Sequence, residues 1–178
     1  MVEFDLVAAL VGGFVGTVVM TAMMMASKKA GMSDMPPMPL VLGSMMSGDR
    51  KKAMGIGGML HLIVMGTIVF GIGYGLLFDA LNNDDWWVGA LIGAVHGVLV
   101  GAVFMPMMPS VHPRMSKELV GTGARGGSQT EAVDANGDVQ LAAPGLMGAN
   151  WGGMTPAGLV LGHVVYGGVL ALLYNAIT

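Results

Sequence analysis

The chain has 178 residues, of which 54% are hydrophobic and 11% are charged, and its mean hydropathy is +0.70. Soluble domains carry about 25% charged residues, so this composition excludes an ordinary soluble domain and predicts one integral membrane domain over residues 1–178. Its 8 basic and 11 acidic residues, with a formal net charge of -3, exclude a nucleic-acid footprint, and the absence of cysteine excludes disulfides and thiolate chemistry.

The first predicted span covers residues 6–26, which is long enough to cross a bilayer as a helix. Ala8, Gly12 and Gly16 are four residues apart, so they share one helix face on which a neighbouring helix can pack closely. Prolines, charged residues and methionines then mark a polar loop over residues 27–53, which we interpret as an interfacial segment.

The second and third predicted spans, residues 54–81 and 86–108, are joined by a short acidic turn, which predicts an antiparallel hairpin. Trp86 and Trp87 open the third span at a position typical of the aromatic belt of membrane proteins. Both spans carry glycines four residues apart, which predict close helix contacts at Gly71, Gly75, Gly89, Gly93, Gly97 and Gly101.

The third span is expected to end where Pro106 and Pro109 interrupt the helix. Residues 109–155 follow as a long polar connection without a predicted element of its own. The fourth span covers residues 156–176 and starts after Thr155 and Pro156, which are good residues for a helix N-terminus. The predicted fold is therefore an all-α, four-transmembrane-helix bundle.

All lysines and arginines lie in the two polar connections: Lys28, Lys29, Arg50, Lys51 and Lys52 in the first, and Arg114, Lys117 and Arg125 in the second. In a four-span protein these connections share one side, and the positive-inside rule makes that side cytoplasmic. We therefore predict a multi-pass protein of the cytoplasmic (inner) membrane with both termini outside. Arg114 follows the third span closely and is predicted to anchor the chain at the lipid headgroups together with Trp86 and Trp87.

Three histidines, His61, His96 and His163, lie within three different spans. A rise of about 1.5 Å per residue places them roughly 8–18 Å from the cytoplasmic ends of their helices, so they can converge. An ionisable residue inside a membrane is a functional hypothesis by default, because burying a charge or an unpaired polar group there costs free energy.

Three interpretations of these histidines stay open. They can be neutral packing residues that donate hydrogen bonds across tightly packed helices. They can hold a cofactor, because imidazoles ligate haem b and copper and the nearby glycines leave room for a flat ring. They can form a proton or ion path, since histidine titrates near neutral pH.

Four stretches of the sequence, residues 16–25, 31–46, 96–115 and 145–174, carry a family resemblance. They read GTVVMTAMMM, GMSDMPPMPLVLGSMM, HGVLVGAVFMPMMPSVHPRM and GLMGANWGGMTPAGLVLGHVVYGGVLALLY. In these segments the chain resembles a group of small four-helix bacterial and archaeal membrane proteins that are classed as a domain of unknown function. The resemblance implies the four-helix fold and carries no activity over to any residue.

No catalytic motif accompanies these features, so we do not expect an enzyme. The small-residue faces on several spans favour a non-catalytic accessory subunit, packed in the bilayer against partner subunits of a redox or transport complex or against a second copy. The competing hypotheses are an electron carrier that binds haem b or copper, and a small ion or proton carrier or channel.

Overall fold

The computed structural model describes residues 1–116 and 130–178, and it is mostly helical. Lys117 and Arg125, which entered the charge argument, lie outside the described residues. Four helices are long and apolar enough to cross a membrane, and they suggest a multi-pass membrane protein. The helices in chain order are α1 (Leu6–Lys29), the short α2 (Met38–Ser44), α3 (Arg50–Leu81), α4 (Trp86–Val111) and α5 (Thr155–Ile177).

The connection between α4 and α5 contains a small sheet, so the expectation of a purely α-helical chain is corrected in this detail. Its strands are β1 (Met115–Ser116), β2 (Glu131–Val133) and β3 (Val139–Ala142). The central strand, β3, pairs parallel to β1 and antiparallel to β2. These strands are two to four residues long, too short to show an alternating pattern above the surrounding loop composition.

Two stretches of the spanning helices are π-helical, Met59–Phe70 in α3 and Val100–Phe104 in α4. The second stretch ends two residues before Pro106. A change from the four-residue to the five-residue hydrogen-bond register is a known way for a helix to adapt to irregularities such as a missing N–H. The helix therefore continues through both prolines to Val111, beyond the predicted end near Met108.

The chain divides into two compact units. Unit 1 comprises Met1–Met24, Leu62–Gly97 and Val160–Thr178, and unit 2 comprises Met25–His61 and Val98–Leu159. The core of unit 1 consists of small and aromatic residues, among them Ala8, Ala9, Tyr74, Phe78 and Tyr166. Alternating small and large residues let the helices approach closely while the aromatic rings fill the remaining space.

Unit 2 is held together by backbone contacts between helices. A Cβ at Gly43 would overlap the carbonyl of Ala53, and one at Gly57 would overlap the carbonyl of Pro39, so α2 lies directly against the first turns of α3. In the connection to α5, the Trp151 side chain is fully buried, and its indole N–H donates to the carbonyl of Ala142 at 2.9 Å.

Candidate functional site

The most unusual feature of unit 1 is a pair of histidine rings between two spanning helices. His96 on α4 and His163 on α5 have ring centroids 4.6 Å apart and ring planes inclined at 72°. The helices meet here because α4 presents glycine: a Cβ at Gly93 would overlap the carbonyl of His163, and one at Gly97 would lie 3.1 Å from the His163 Cβ. The glycine ladder of α4 thus positions the two imidazoles.

Aromatic side chains surround His96. The Phe70 ring lies 4.3 Å from the His96 ring between centroids, the Tyr74 ring 6.0 Å and the Tyr166 ring 6.4 Å. The Tyr74 hydroxyl lies 3.2 Å from His96 Nδ1, within hydrogen-bond distance, and either atom can be the donor, depending on the histidine tautomer. We call Phe70, Tyr74, His96, His163 and Tyr166 the aromatic cluster.

His96 Nε2 is buried without a hydrogen-bond partner among the residues that the structure describes. Native structures pair the large majority of their buried polar atoms, so such an atom requires an explanation in the chemistry of its site. Nδ1 of the same ring contacts a hydroxyl, whereas Nε2 contacts none. The ring is therefore held in place at Nδ1, whereas Nε2 can bind and release a proton.

The π-helical stretch of α3 supports the cluster. The Tyr166 hydroxyl donates to the carbonyl of Gly66 at 2.8 Å, and the rings of Tyr74 and Tyr166 meet edge to face at 5.3 Å. Thr17 on α1 contacts Gly66, where a Cβ would overlap the threonine side chain. The absence of a side chain at Gly66 thus brings α1, α3 and the Tyr166 hydroxyl of α5 together.

The cluster contains no charged residue, and unit 1 contains neither lysine nor arginine. The carboxylates of unit 1 are Glu3, Asp5, Asp79, Asp84 and Asp85, all close to helix ends. Within residues 1–116 and 130–178 no group of three His, Asp or Glu side chains is placed to hold a metal ion. Within unit 1, the groups around His96 that can stabilise a positive charge there are aromatic faces and hydroxyl or backbone dipoles.

Of the three histidines singled out in the sequence, His96 and His163 are neighbours in unit 1, whereas His61 is a buried residue of unit 2. The sequence interpretation missed Phe70, Tyr74 and Tyr166. Only their helical spacing carried any signal: Phe70 and Tyr74 are four residues apart, which places them on one face of a helix.

The glycines predicted to form packing faces contact segments of their own unit. Gly12 packs against Leu170, Gly16 against Tyr166, Gly71 against Ala9, and Gly75 against Phe4 and Ala9. Gly89 meets Gly167, Gly93 and Gly97 meet the His163 turn of α5, and Gly101 meets Met147 and Leu159. Their close contacts are therefore made within the chain.

The three residues predicted to anchor the chain at the membrane surface, Trp86, Trp87 and Arg114, lie in different surroundings. The Trp86 and Trp87 side chains are 59% and 47% exposed, and the Trp87 indole donates to Asp85 at 3.1 Å. The Arg114 guanidinium instead donates to the carbonyl of Ser44 at 2.8 Å and lies 3.5 Å from the Asp138 carboxylate, with 23% of its side chain exposed. Arg114 thus connects two segments of unit 2.

Comparison with known proteins identifies the family of this chain. Residues 4–121 match the family model DUF6789, described as a family of unknown function, over more than half of the chain. No curated protein and no solved structure matches the sequence.

Proposed function

The chain belongs to DUF6789, a family of unknown function, and we propose that it is a proton carrier of the cytoplasmic membrane that binds a proton at the His96–His163 pair. The observation that carries this proposal is the buried Nε2 of His96, which has no hydrogen-bond partner within residues 1–116 and 130–178 and lies beside a second imidazole. Histidine is the side chain whose ordinary pKa lies closest to physiological pH, which suits reversible proton binding.

The proton chemistry follows from the two ring nitrogens. In the tautomer in which Nδ1–H donates to the Tyr74 oxygen, Nε2 carries a bare lone pair. A proton taken up there gives an imidazolium that keeps its Tyr74 hydrogen bond and faces the Phe70 ring, which offers a cation–π contact. Rotation of either ring then passes the Nε2 proton to the unprotonated ring nitrogen of neutral His163, so that His163 becomes the imidazolium and His96 returns to its neutral form.

A proton fits this geometry better than the cofactors considered from the sequence. Among residues 1–116 and 130–178, no third His, Asp or Glu side chain joins this pair in a group that could hold a metal ion. A haem plane also needs open space beside its ligand, and the backbone of α5 fills that space at Gly93 and Gly97.

The orientation belongs to the same proposal. Every lysine and arginine of the chain lies between residues 28 and 125, in the two connections that a four-span protein places on one side or in the helix ends that flank them. The positive-inside rule favours the cytoplasm for that side. The acidic turn between α3 and α4 and both chain termini then face outward.

Association with partner subunits is a separate hypothesis. Its original support was the number of small-residue faces, and those glycines contact the chain's own segments. In a membrane-spanning chain, lipid can cover the exposed apolar residues along the four helices without a partner protein. Co-purification of a stoichiometric second protein in mild detergent would support an accessory role.

The proposed function is tested by proton flux into proteoliposomes that contain a pH-sensitive dye and carry an imposed membrane potential. We expect flux above that of empty vesicles, and its loss in His96→Leu and His163→Leu. Tyr174→Phe is the matched control, because it removes a buried hydroxyl of unit 1 that contacts Asp5 and Glu3 rather than the cluster. Unchanged flux in His96→Leu, at equal reconstitution, would contradict the proposal.

A further inference from the structure

One carboxylate of unit 2, that of Glu131, contacts a cation at the end of α1 and another at the start of α3. Glu131 Oε2 lies 3.0 Å from the Arg50 guanidinium, and Glu131 Oε1 lies 3.4 Å from the Lys28 ammonium. Because both oxygens belong to one carboxylate, the two cations lie within a few ångströms of each other. The residues next to them, Lys29 and Lys51, are thereby brought to the same end of unit 2.

Three further lysines at this junction form no ion pair within residues 1–116 and 130–178. They are Lys29, Lys51 and Lys52, and all three are exposed. The Glu131 carboxylate pairs with Lys28 and Arg50, and Asp49 Oδ1 accepts the backbone N–H of Lys52 as a helix cap. We call Lys29, Lys51 and Lys52 the lysine patch.

The length of α3 relates this patch to the bilayer. Arg50–Leu81 has 32 residues, which corresponds to at most about 48 Å along the axis, because the π-helical stretch Met59–Phe70 rises less per residue, or to at most about 45 Å normal to the membrane at a typical tilt of about 20°. The hydrocarbon core is about 30 Å thick, and the bilayer with its headgroups about 40–45 Å. A helix that crosses from headgroup to headgroup therefore places Lys51 and Lys52 at the level of lipid phosphates.

From this juxtaposition we infer that the lysine patch binds the headgroups of anionic phospholipids. A lysine ammonium is a compact charge on a flexible stem, which reaches phosphate oxygens without demanding a fixed geometry. Each lysine near an anionic surface raises the affinity roughly fivefold. Three of them make the chain prefer anionic over zwitterionic lipid. The inference requires only that the helices span a membrane, and it does not depend on proton binding at His96.

The test uses the full chain in a neutral detergent, titrated with dioleoyl phosphatidylglycerol, dioleoyl phosphatidylcholine or inorganic phosphate, with native mass spectrometry and the thermal unfolding midpoint as readouts. We expect phosphatidylglycerol to bind and to raise the midpoint, and the two other additions to have no comparable effect. In the variant Lys29→Gln/Lys51→Gln/Lys52→Gln the affinity for phosphatidylglycerol should fall roughly 100-fold.

The charge-conserving variant Lys29→Arg/Lys51→Arg/Lys52→Arg is the matched control and should keep the preference. Equal binding of the two lipids by the natural chain, or undiminished phosphatidylglycerol binding by the glutamine variant, would overturn the inference. So would an equal response to inorganic phosphate, which would indicate a site for a free anion. If the glutamine variant does not fold, the inference is tested by the salt dependence of lipid binding to the natural chain. Binding that is insensitive to salt would contradict a contact between charges.

Discussion

The hydroxyl of Tyr74 lies 3.2 Å from Nδ1 of His96, and this contact joins α3 to α4 inside unit 1. Tyr74 is only 3% exposed, so water does not replace the contact when it is lost. The Tyr74 ring also meets Tyr166 edge to face, which relates the contact to α5. Tyr74 therefore holds the orientation of the His96 ring.

We predict that Tyr74→Phe lowers the free energy of unfolding by about 1–3 kcal/mol, because it leaves a buried histidine nitrogen without its partner. Proton flux should slow as well, since the Nδ1 proton of the imidazolium loses its acceptor. Unfolding in mild detergent and the proteoliposome flux measure the two effects. Tyr174→Phe serves as the comparison, and equal flux in the two tyrosine variants would argue against a positioning role for Tyr74.

The glycine contacts of α4 predict a contrast between two alanine substitutions. Gly93→Ala places a Cβ onto the backbone carbonyl of His163, which cannot move away as a flexible side chain would. We expect a loss of about 1–3 kcal/mol of unfolding free energy and a displacement of His163. Gly73→Ala meets nothing within 4 Å and should be neutral or stabilising by up to about 1 kcal/mol. Equal stability of the two variants would contradict the packing of α4 against α5.

The two ion pairs of Glu131 are expected to stabilise unit 2 by a small amount that depends on salt concentration. Its two partner side chains are 40% and 57% exposed, so solvent screens both ion pairs. Glu131→Gln should therefore cost no more than about 1 kcal/mol at low salt and less at high salt. Thermal unfolding at two salt concentrations measures this. Glu3→Gln, in unit 1, is the control, and a cost that does not change with salt would indicate a role other than ion pairing.

The burial of His112, just beyond the C-terminal end of α4, predicts that the free energy of unfolding depends on pH. Burial, followed by the nearby Arg114 charge, lowers the pKa of His112 below its ordinary value of 6.5. Its Nε2 lies 2.9 Å from the carbonyl of Val41, and its Nδ1 accepts the backbone N–H of Arg114 at 3.1 Å, an arrangement that requires the neutral ring. The folded state thus binds the proton less readily than the unfolded state does.

The contribution of His112 is consequently complete above pH 6.5 and is lost as the pH falls below that value. Unfolding measured between pH 7.5 and pH 5 should show this decline, and His112→Gln should flatten it while lowering the stability at neutral pH. A decline of equal slope in the natural chain and in the variant would assign the effect to other groups.

The proposed orientation is open to chemical labelling, because the chain contains no cysteine. Met46→Cys replaces a side chain that is 68% exposed in the connection between α1 and α3, and Thr178→Cys lies at the exposed C-terminus. In intact cells a membrane-impermeant maleimide should label position 178 and leave position 46 unlabelled until the membrane is permeabilised. The reverse pattern would invert the proposed topology.

The spans could be predicted from the sequence because a bilayer imposes a simple local requirement. A helix of about 20 apolar residues satisfies its backbone hydrogen bonds internally, and charges and prolines mark its limits. The residues 6–26, 54–81, 86–108 and 156–176 therefore correspond closely to α1, α3, α4 and α5. The glycines four residues apart also revealed, without any structure, which helix faces allow close contact.

Only the tertiary structure decided which partners those faces and histidines meet. A histidine in a span is visible in the sequence, but its neighbours depend on helix rotation and register, which arise from packing among distant segments. Gly93 and Gly97 bring His163 to His96 and place His96 among Phe70, Tyr74 and Tyr166, while His61 belongs to the other unit. Local composition decides whether a helix is apolar enough to cross a membrane, whereas the pairing of side chains between helices is a property of the whole fold.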